Sequence, residues 1–500
     1  MKNKIYIDIK NNNRVAITEQ GELAEFYVEK NSGQKLVGNI YKGKVVNVLP
    51  GMQAAFVNIG LEKNAYLYVG ESMVDAEEIT NSLPSVEFGF KVGDTIMVQI
   101  VKEQFGSKGV RITTDVTLPG RYTVYMPNSN YVGVSKKIED EETRRRLTEA
   151  VEDLTASGRG GFVIRTAAAT VSNDILRQEA IRLMNLYEDI LGVYRATTQE
   201  VALIHQEDDL LMRVMRDMYN SDTEEIYIST TQSAEQILGR VSRFLSGNTD
   251  VIKFYNGMRD MFEEFMLNED ISNLLKRKVP LKNGAYLIID RTEALTVIDV
   301  NTGRYVGENN LEETVFYTNM LAAETIAKQL RLRNIGGIII VDFIDMDIEE
   351  HRTQVVEHLR QMLKLDRIKT TVVGITGLGL VELTRKKTRS MIDSVLLQPC
   401  PYCQGDSYVY SADYMTNIVK EGLRKYFSVY PQADAITLTV HPTVFGKLFS
   451  YREISPDEYD IWTSRRVYVV PDPSMHVEKY DIKDCGSGIV DIPDTAKLLY

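Results

Sequence analysis

Two aspartates, Asp299 and Asp342, each close an almost purely apolar run, LTVID and IIIVD. Such runs read as buried strands, and a strand end is where a scaffold can hold an otherwise costly carboxylate at the rim of its core. Asn301, two residues after Asp299, points to the same side of an extended chain and adds a neutral amide. If the two carboxylates converge they can hold Mg²⁺, which takes one or two protein carboxylates and fills its remaining positions with water and phosphate. A metal there would activate water and neutralise charge on a phosphate. The plainer alternative is that both aspartates only cap strand ends, and spacing alone does not separate the two readings.

Other spacings carry chemistry of their own. Gly158, Gly160 and Gly161 precede Arg165 and Thr166, a pattern suited to phosphate capture. Glycines let backbone approach an anion, Arg offers a planar fork of donors, and Thr adds a hydroxyl. Cys400 and Cys403 in CPYCQG have the spacing of a zinc knuckle, yet zinc takes four ligands and no second pair exists. Cys485 is remote, and His441 and His476 lack knuckle spacing. The economical solution is one zinc shared by two chains, which builds a dimer; a pair of buried thiols without metal is the alternative. Arg385, Lys386, Lys387 and Arg389 form a basic run that reads as a solvated helix face or as a contact for an anionic backbone. Asp345 and Asp347 read as structural members of an acidic turn, and Gly303 and Gly307 as shapers of the loop after Asn301.

The elements that must position these residues belong to more than one core, because 500 residues exceed what one domain holds. A composition of 44% hydrophobic and 26% charged residues fits a folded chain. The net charge of -12 gives no general signal for nucleic acid, although local basic patches can still bind phosphates. Three cysteines exclude a disulfide framework. The opening MKNKIYIDIK alternates like a strand and lacks the apolar centre of a signal peptide, and no run approaches a membrane span of roughly 20 apolar residues. A soluble cytoplasmic protein is expected.

Short strands are predicted in residues 1–35, with turns at Asn11–Asn13 and near Asn31–Gly33. Glycine-punctuated strands over 36 to about 115 suggest a small barrel, with an excursion at 70–89. Residues 139–156 have a helical pattern, FVIRTAA reads as a strand, and Ser172 and Asn173 can cap the helix ILRQEAIRLMNLYEDIL. GAYLIID and EALTVIDV form a predicted hairpin, followed by helices at about 311–332 and 348–364 around the strand GGIIIVDF. The strand TTVVGIT and a basic helix TRKKTRSMIDSVL come next, then CPYCQG and a smaller αβ unit.

The words AYLIID, ALTVIDVNTGRYVG and GGIIIVDFIDM, in this order, resemble the catalytic part of the ribonuclease E/G family. YKGKV and GMQAAFVNIGLEKNAYL resemble that family's S1-type barrel, GFVIRTAA its sensor of RNA 5′ ends, and CPYCQG its zinc link. The resemblance implies a multidomain α+β fold. Residues 1–35 and 215–280 would be two parts of an RNase H-like subdomain, and 36–118 an S1-type OB-fold β-barrel inserted in it. Residues 119–214 would be the 5′-sensor, 281–398 a DNase I-like α/β catalytic subdomain, 399–411 the zinc link and 412–500 a small C-terminal αβ domain.

It also implies roles. Asp299 and Asp342 match metal-binding aspartates and Asn301 the amide beside them; Arg165 and Thr166 would hold an RNA 5′-monophosphate. Phe56 and Tyr66 would stack on bases with Lys108 near the phosphates, where an unaided reading puts such aromatics in a barrel core. Ile59 departs from relatives that carry an aromatic there, which implies a smaller stacking surface. The implied activity is Mg²⁺-dependent endonucleolytic cleavage of single-stranded RNA. It favours 5′-monophosphorylated substrates, leaves 5′-phosphate and 3′-hydroxyl ends, and serves rRNA and tRNA processing and mRNA decay. The five histidines form no cluster, so histidine acid–base catalysis through the 2′-hydroxyl is not expected. Zn²⁺ shared between chains implies a homodimer, and a dimer of dimers is a further arrangement. Lacking a long disordered tail, the chain looks more like the compact ribonuclease G type. A non-catalytic RNA-binding scaffold is the competing reading, and a zinc-knuckle transcription or translation factor a weaker one.

Overall fold

A computed structural model of the chain describes residues 2–29, 36–68, 90–103, 109–156, 158–245, 248–303, 311–450, 465–485 and 492–499. Lys108, Gly307, the turn near residues 31–33 and the excursion at 70–89 lie outside the described residues. The fold is mixed α+β and multidomain, in two compact units, Met1–Val395 and Leu396–Tyr500.

In the first unit the alternating opening forms strand Asn3–Asp8, which buries Ile5 and Ile7. It pairs antiparallel with Arg14–Glu19, which pairs with Glu22–Val28, and its other edge takes Thr223–Ser229 in parallel from far along the chain. The chain between these strands closes a five-stranded barrel. Ile40–Leu49, Ala54–Asn58, Ala65–Tyr68, Arg111–Thr113 and Thr95–Lys102 pair in that order, and the last returns to the first. A four-stranded sheet centred on Thr123–Met126 and Gly161–Ile164 carries helices Glu141–Ala156 and Asn173–Ala196. The Ser172 hydroxyl caps the second helix by accepting from the Ile175 N–H at 3.4 Å, as its sequence predicts.

The sheet holding Asp299 and Asp342 has six strands. Their order is Lys278–Pro280, Tyr286–Arg291, Leu295–Asn301, Gly337–Asp342, Val381–Arg385 and Thr370–Ile375. Leu287, Ile289, Ile298, Val300, Ile339 and Val341 share one face, which helices Leu311–Leu332 and Glu349–Leu363 cover with Ala322, Ile326, Leu330, Val355 and Leu359. Each fully buried Leu, Ile or Val contributes about 1.5–3 kcal/mol. A one-residue slip of any strand would turn its apolar set outward, so this face also fixes the register. Asp299, Asn301 and Asp342 therefore stand on the face without these helices.

One expectation is overturned. Residues 384–396 are not a basic helix: the strand Val381–Arg385 runs into them, extended chain follows, and the helix is Ile392–Leu396 alone. The strand alternates Val381, Leu383 and Arg385 inward. Arg385 can take an inward position because Asp366 receives its Nε–H at 2.7 Å and the Ile335 carbonyl its Nη1–H at 2.9 Å.

The second unit packs helices Ala412–Val429 and Pro442–Ser450 on a sheet of Tyr480–Asp484, Ala435–Val440, Arg466–Pro471 and Lys497–Leu498. Among the described residues, no helix is long and apolar enough to cross a membrane.

Candidate active site

Asp299 and Asp342 are register partners on adjacent parallel strands. Neighbouring strands lie about 4.8 Å apart, so the carboxylates leave the sheet side by side. Asn301 Nδ2 donates to Asp299 Oδ2 at 2.7 Å and fixes that carboxylate. The Asp342 carboxyl is pushed above its usual range, first by loss of surrounding water at the strand end, then by the charges of Asp299 and Asp345. Among the described residues no Lys, Arg or His forms an ion pair with Asp299, Asp342 or Asp345.

The turn after Asp342 is held from behind by residues that sequence reading missed. Asn319, wholly buried on its helix, donates to the Ile344 carbonyl at 2.8 Å and accepts from the Ile344 N–H at 3.1 Å. Glu312 accepts the N–H groups of Asp347 and Ile348 at 3.3 and 3.2 Å and meets His351 Nδ1 at 3.0 Å. An asparagine on the apolar stripe of a helix was the available signal. Asp345 stays exposed and acts on Asp342 through its charge. Gly303 has φ +61°, and a Cβ there would meet the Gly284 carbonyl at 2.7 Å, so this position demands glycine.

Among the described residues no three His, Cys, Asp or Glu side chains converge as a metal cage. Two like charges with no protein cation paired to them among the described residues suit instead an ion that keeps several waters and a phosphate in its shell, which is the habit of Mg²⁺.

Arg165 Nη1 donates to the Gly120 carbonyl at 2.6 Å and to Asp217 Oδ1 at 2.8 Å. Burial would raise the Asp217 carboxyl, but Arg216 and Arg165 outweigh it and hold it below its usual value. Thr166 is exposed, its hydroxyl 3.0 Å from that of Ser135. Packing alone demands glycine at two of the preceding positions. A Cβ on Gly160 would sit 2.7 Å from the Tyr125 ring, and one on Gly161 2.3 Å from the Tyr131 carbonyl.

In the barrel, Phe56 and Tyr66 are register partners with ring centroids 5.8 Å apart. Ala55, Val57, Ala65 and Leu67 take the inward positions, so the two aromatics lie on the outer face. Arg111 is the next register partner of Tyr66, a cation that sequence reading overlooked. Ile59 belongs to the barrel core.

In the second unit Cys400 is exposed and Cys403 half-buried. The N–H groups of Cys403 and Tyr402, then the Cys403 side chain, hold the Cys400 thiol below its usual range, which favours the thiolate. Gln404 and Gly405, with φ +53° and +99°, turn the chain tightly after the pair. Cys485 is buried, His476 Nε2 bonds the Tyr402 carbonyl at 2.6 Å and His441 Nδ1 the Thr443 hydroxyl at 2.8 Å. The chain thus presents two sulfurs, half of a tetrahedral zinc set. Of the basic run, Arg385 is internal and Arg389 lies 4.3 Å over the Tyr27 ring.

The model of the ribonuclease E/G family matches residues 117–388, the span that holds Arg165, Asp299 and Asp342. Over 477 residues the chain is 39% identical to Ribonuclease G of Escherichia coli strain K12, covering 94% of this chain and 96% of that protein. It is 39% identical over 481 residues to Ribonuclease G of Haemophilus influenzae, covering 94% and 97%. Ribonuclease E of a Synechocystis species is 37% identical over 378 residues, 75% of this chain and 56% of that protein.

Proposed function

The chain belongs to the ribonuclease E/G family and is an endoribonuclease, and from that premise we propose that it cuts single-stranded RNA at Asp299 and Asp342 with Mg²⁺. The side-by-side register of these two aspartates, with no protein cation paired to them among the described residues, carries this reading. Asp299 and Asp342 would hold Mg²⁺, which would supply an activated water and neutralise charge on the scissile phosphate, and hydrolysis by that water would leave 5′-phosphate and 3′-hydroxyl ends. Asn301 fixes the Asp299 carboxylate, and Asn319 and Glu312 hold the turn that follows Asp342.

Arg165 and Thr166 grip a 5′-monophosphate in the 5′-sensor, with Asp217 orienting the guanidinium. Phe56 and Tyr66 form an S1-type surface on which bases stack, and by the family resemblance Lys108 meets the RNA phosphates. The six-stranded sheet is the DNase I-like catalytic subdomain, and the opening strands belong to an RNase H-like one. Cys400 and Cys403 share Zn²⁺ with the same pair of a second chain and join a homodimer. Its place is the cytoplasm, in rRNA and tRNA processing and mRNA decay. The experiment is cleavage of matched 5′-monophosphate, 5′-triphosphate and 5′-hydroxyl oligonucleotides, with the product ends mapped. Faster cutting of the monophosphate, Mg²⁺ dependence and 5′-phosphate products are expected. Cyclic-phosphate or 5′-hydroxyl products would overturn the hydrolytic reading.

A further inference from the structure

Lys278 stands in the same cross-strand row as the two aspartates. In register it pairs with Ile288, Ile288 with Asp299, and Asp299 with Asp342. Its neighbour Val279 joins the helix-covered core, so Lys278 belongs to the opposite face, with the aspartates. Two strand spacings place its backbone about 10 Å from that of Asp299, a distance a lysine side chain and one phosphate can bridge between them.

The ammonium is also held in place. Lys278 Nζ lies 3.7 Å from the centroid of the Tyr286 ring. Tyr286 is the register partner of Asn301, and its ring closes against Gly303. Among the described residues no carboxylate pairs with Lys278, whereas the adjacent Arg277 is occupied by Asp290. In a chain of net charge -12, an exposed ammonium resting on a ring beside an acidic centre keeps its charge available for an anion from outside.

We propose that Lys278, steadied by Tyr286, is a substrate-positioning residue that binds an RNA phosphate adjacent to the scissile one. This rests on the reading of Asp299 and Asp342 as the cleavage centre. The carboxylates repel the strand's phosphates, and a cation on the far side of Tyr286 offsets that repulsion for the neighbouring phosphate while the scissile group sits at the aspartates. No bond to Lys278 forms or breaks; it contributes charge and direction.

The test uses the full-length protein and a short single-stranded RNA with a 5′-hydroxyl, so that end recognition is silent. Binding and cleavage are measured over a salt series for the wild type, Lys278→Ala, Lys278→Arg and Asp299→Asn. Loss of one charge-assisted contact should raise KM of Lys278→Ala roughly tenfold with kcat little changed. The slope of log affinity against log salt should fall by about 0.7, the value for one phosphate contact on a single strand. Lys278→Arg, which keeps the charge, should restore the slope. An unchanged slope in Lys278→Ala, or a fall in kcat without a rise in KM, would overturn the assignment. Asp299→Asn separates the two levels: if it is inactive while Lys278→Ala keeps the wild-type slope, the lysine assignment alone fails. If Asp299→Asn cuts normally, the cleavage centre is elsewhere and the place given to Lys278 falls with it.

Discussion

The strand Gly337–Asp342 has a charge cluster near each end, and the two are built on opposite principles. At its start, the paired strand brings in Arg385, 3% exposed, bonded to Asp366, 6% exposed, at 2.7 Å. At its end, Asp342 stands beside Asp299 with Asp345 nearby, three like charges without a protein cation among the described residues. The first cluster is complete within the fold and does nothing but hold it. The second leaves like charges that a cation from outside would offset, and the proposed metal site rests on that difference from a structural ion pair.

The contrast predicts opposite phenotypes. Asp299→Asn should lower cleavage by about 10²–10³-fold, the scale of removing one preorganised electrostatic contact. Its fold and RNA binding should survive; near-normal turnover at saturating Mg²⁺ would break the contrast from the functional side. Arg385→Ala should do the reverse. It strands Asp366 in the interior and should cost about 3–5 kcal/mol of stability in urea unfolding. A loss within about 0.5 kcal/mol, as for surface changes, would show that the pair is not closed off in solution.

The smallest effect is a gain. Because the folded-state pKa of Asp342 is raised, its ionisation costs the native state above that value and nothing well below the ordinary carboxylate range. In metal-free buffer Asp342→Asn should therefore melt slightly higher than the wild type at pH 7, and the gap should close as pH falls below that range. A wild type that stays the more stable at neutral pH would remove the electrostatic cost from the centre.

Much of the centre was legible because its signals are local. LTVID and IIIVD announce two buried strands ending in aspartate, and the intervening helix length suits a parallel crossover, so adjacency was a fair expectation. The strand VELTR escaped because its third inward residue is an arginine, which reads as surface. The partner that allows its burial, Asp366, lies 19 residues earlier and leaves no periodic trace. Gly160 and Gly161 read as an anion loop, and the tight contacts with Tyr125 and Tyr131 that also require glycine there leave no trace in the sequence. Asp217 behind Arg165, and Lys278 on Tyr286, depend on pairings made only when distant strands and helices meet.

The most direct measurement is divalent-ion binding to wild type and Asp342→Asn, without RNA. Mn²⁺ serves as the probe because it accepts the same octahedral oxygen shell as Mg²⁺, and bound ion is counted by paramagnetic resonance. A saturable site in the wild type, competed by Mg²⁺ and lost or strongly weakened in Asp342→Asn, is the expected result. Equal Mn²⁺ binding by the two proteins would contradict the assignment of Asp299 and Asp342 as the metal centre.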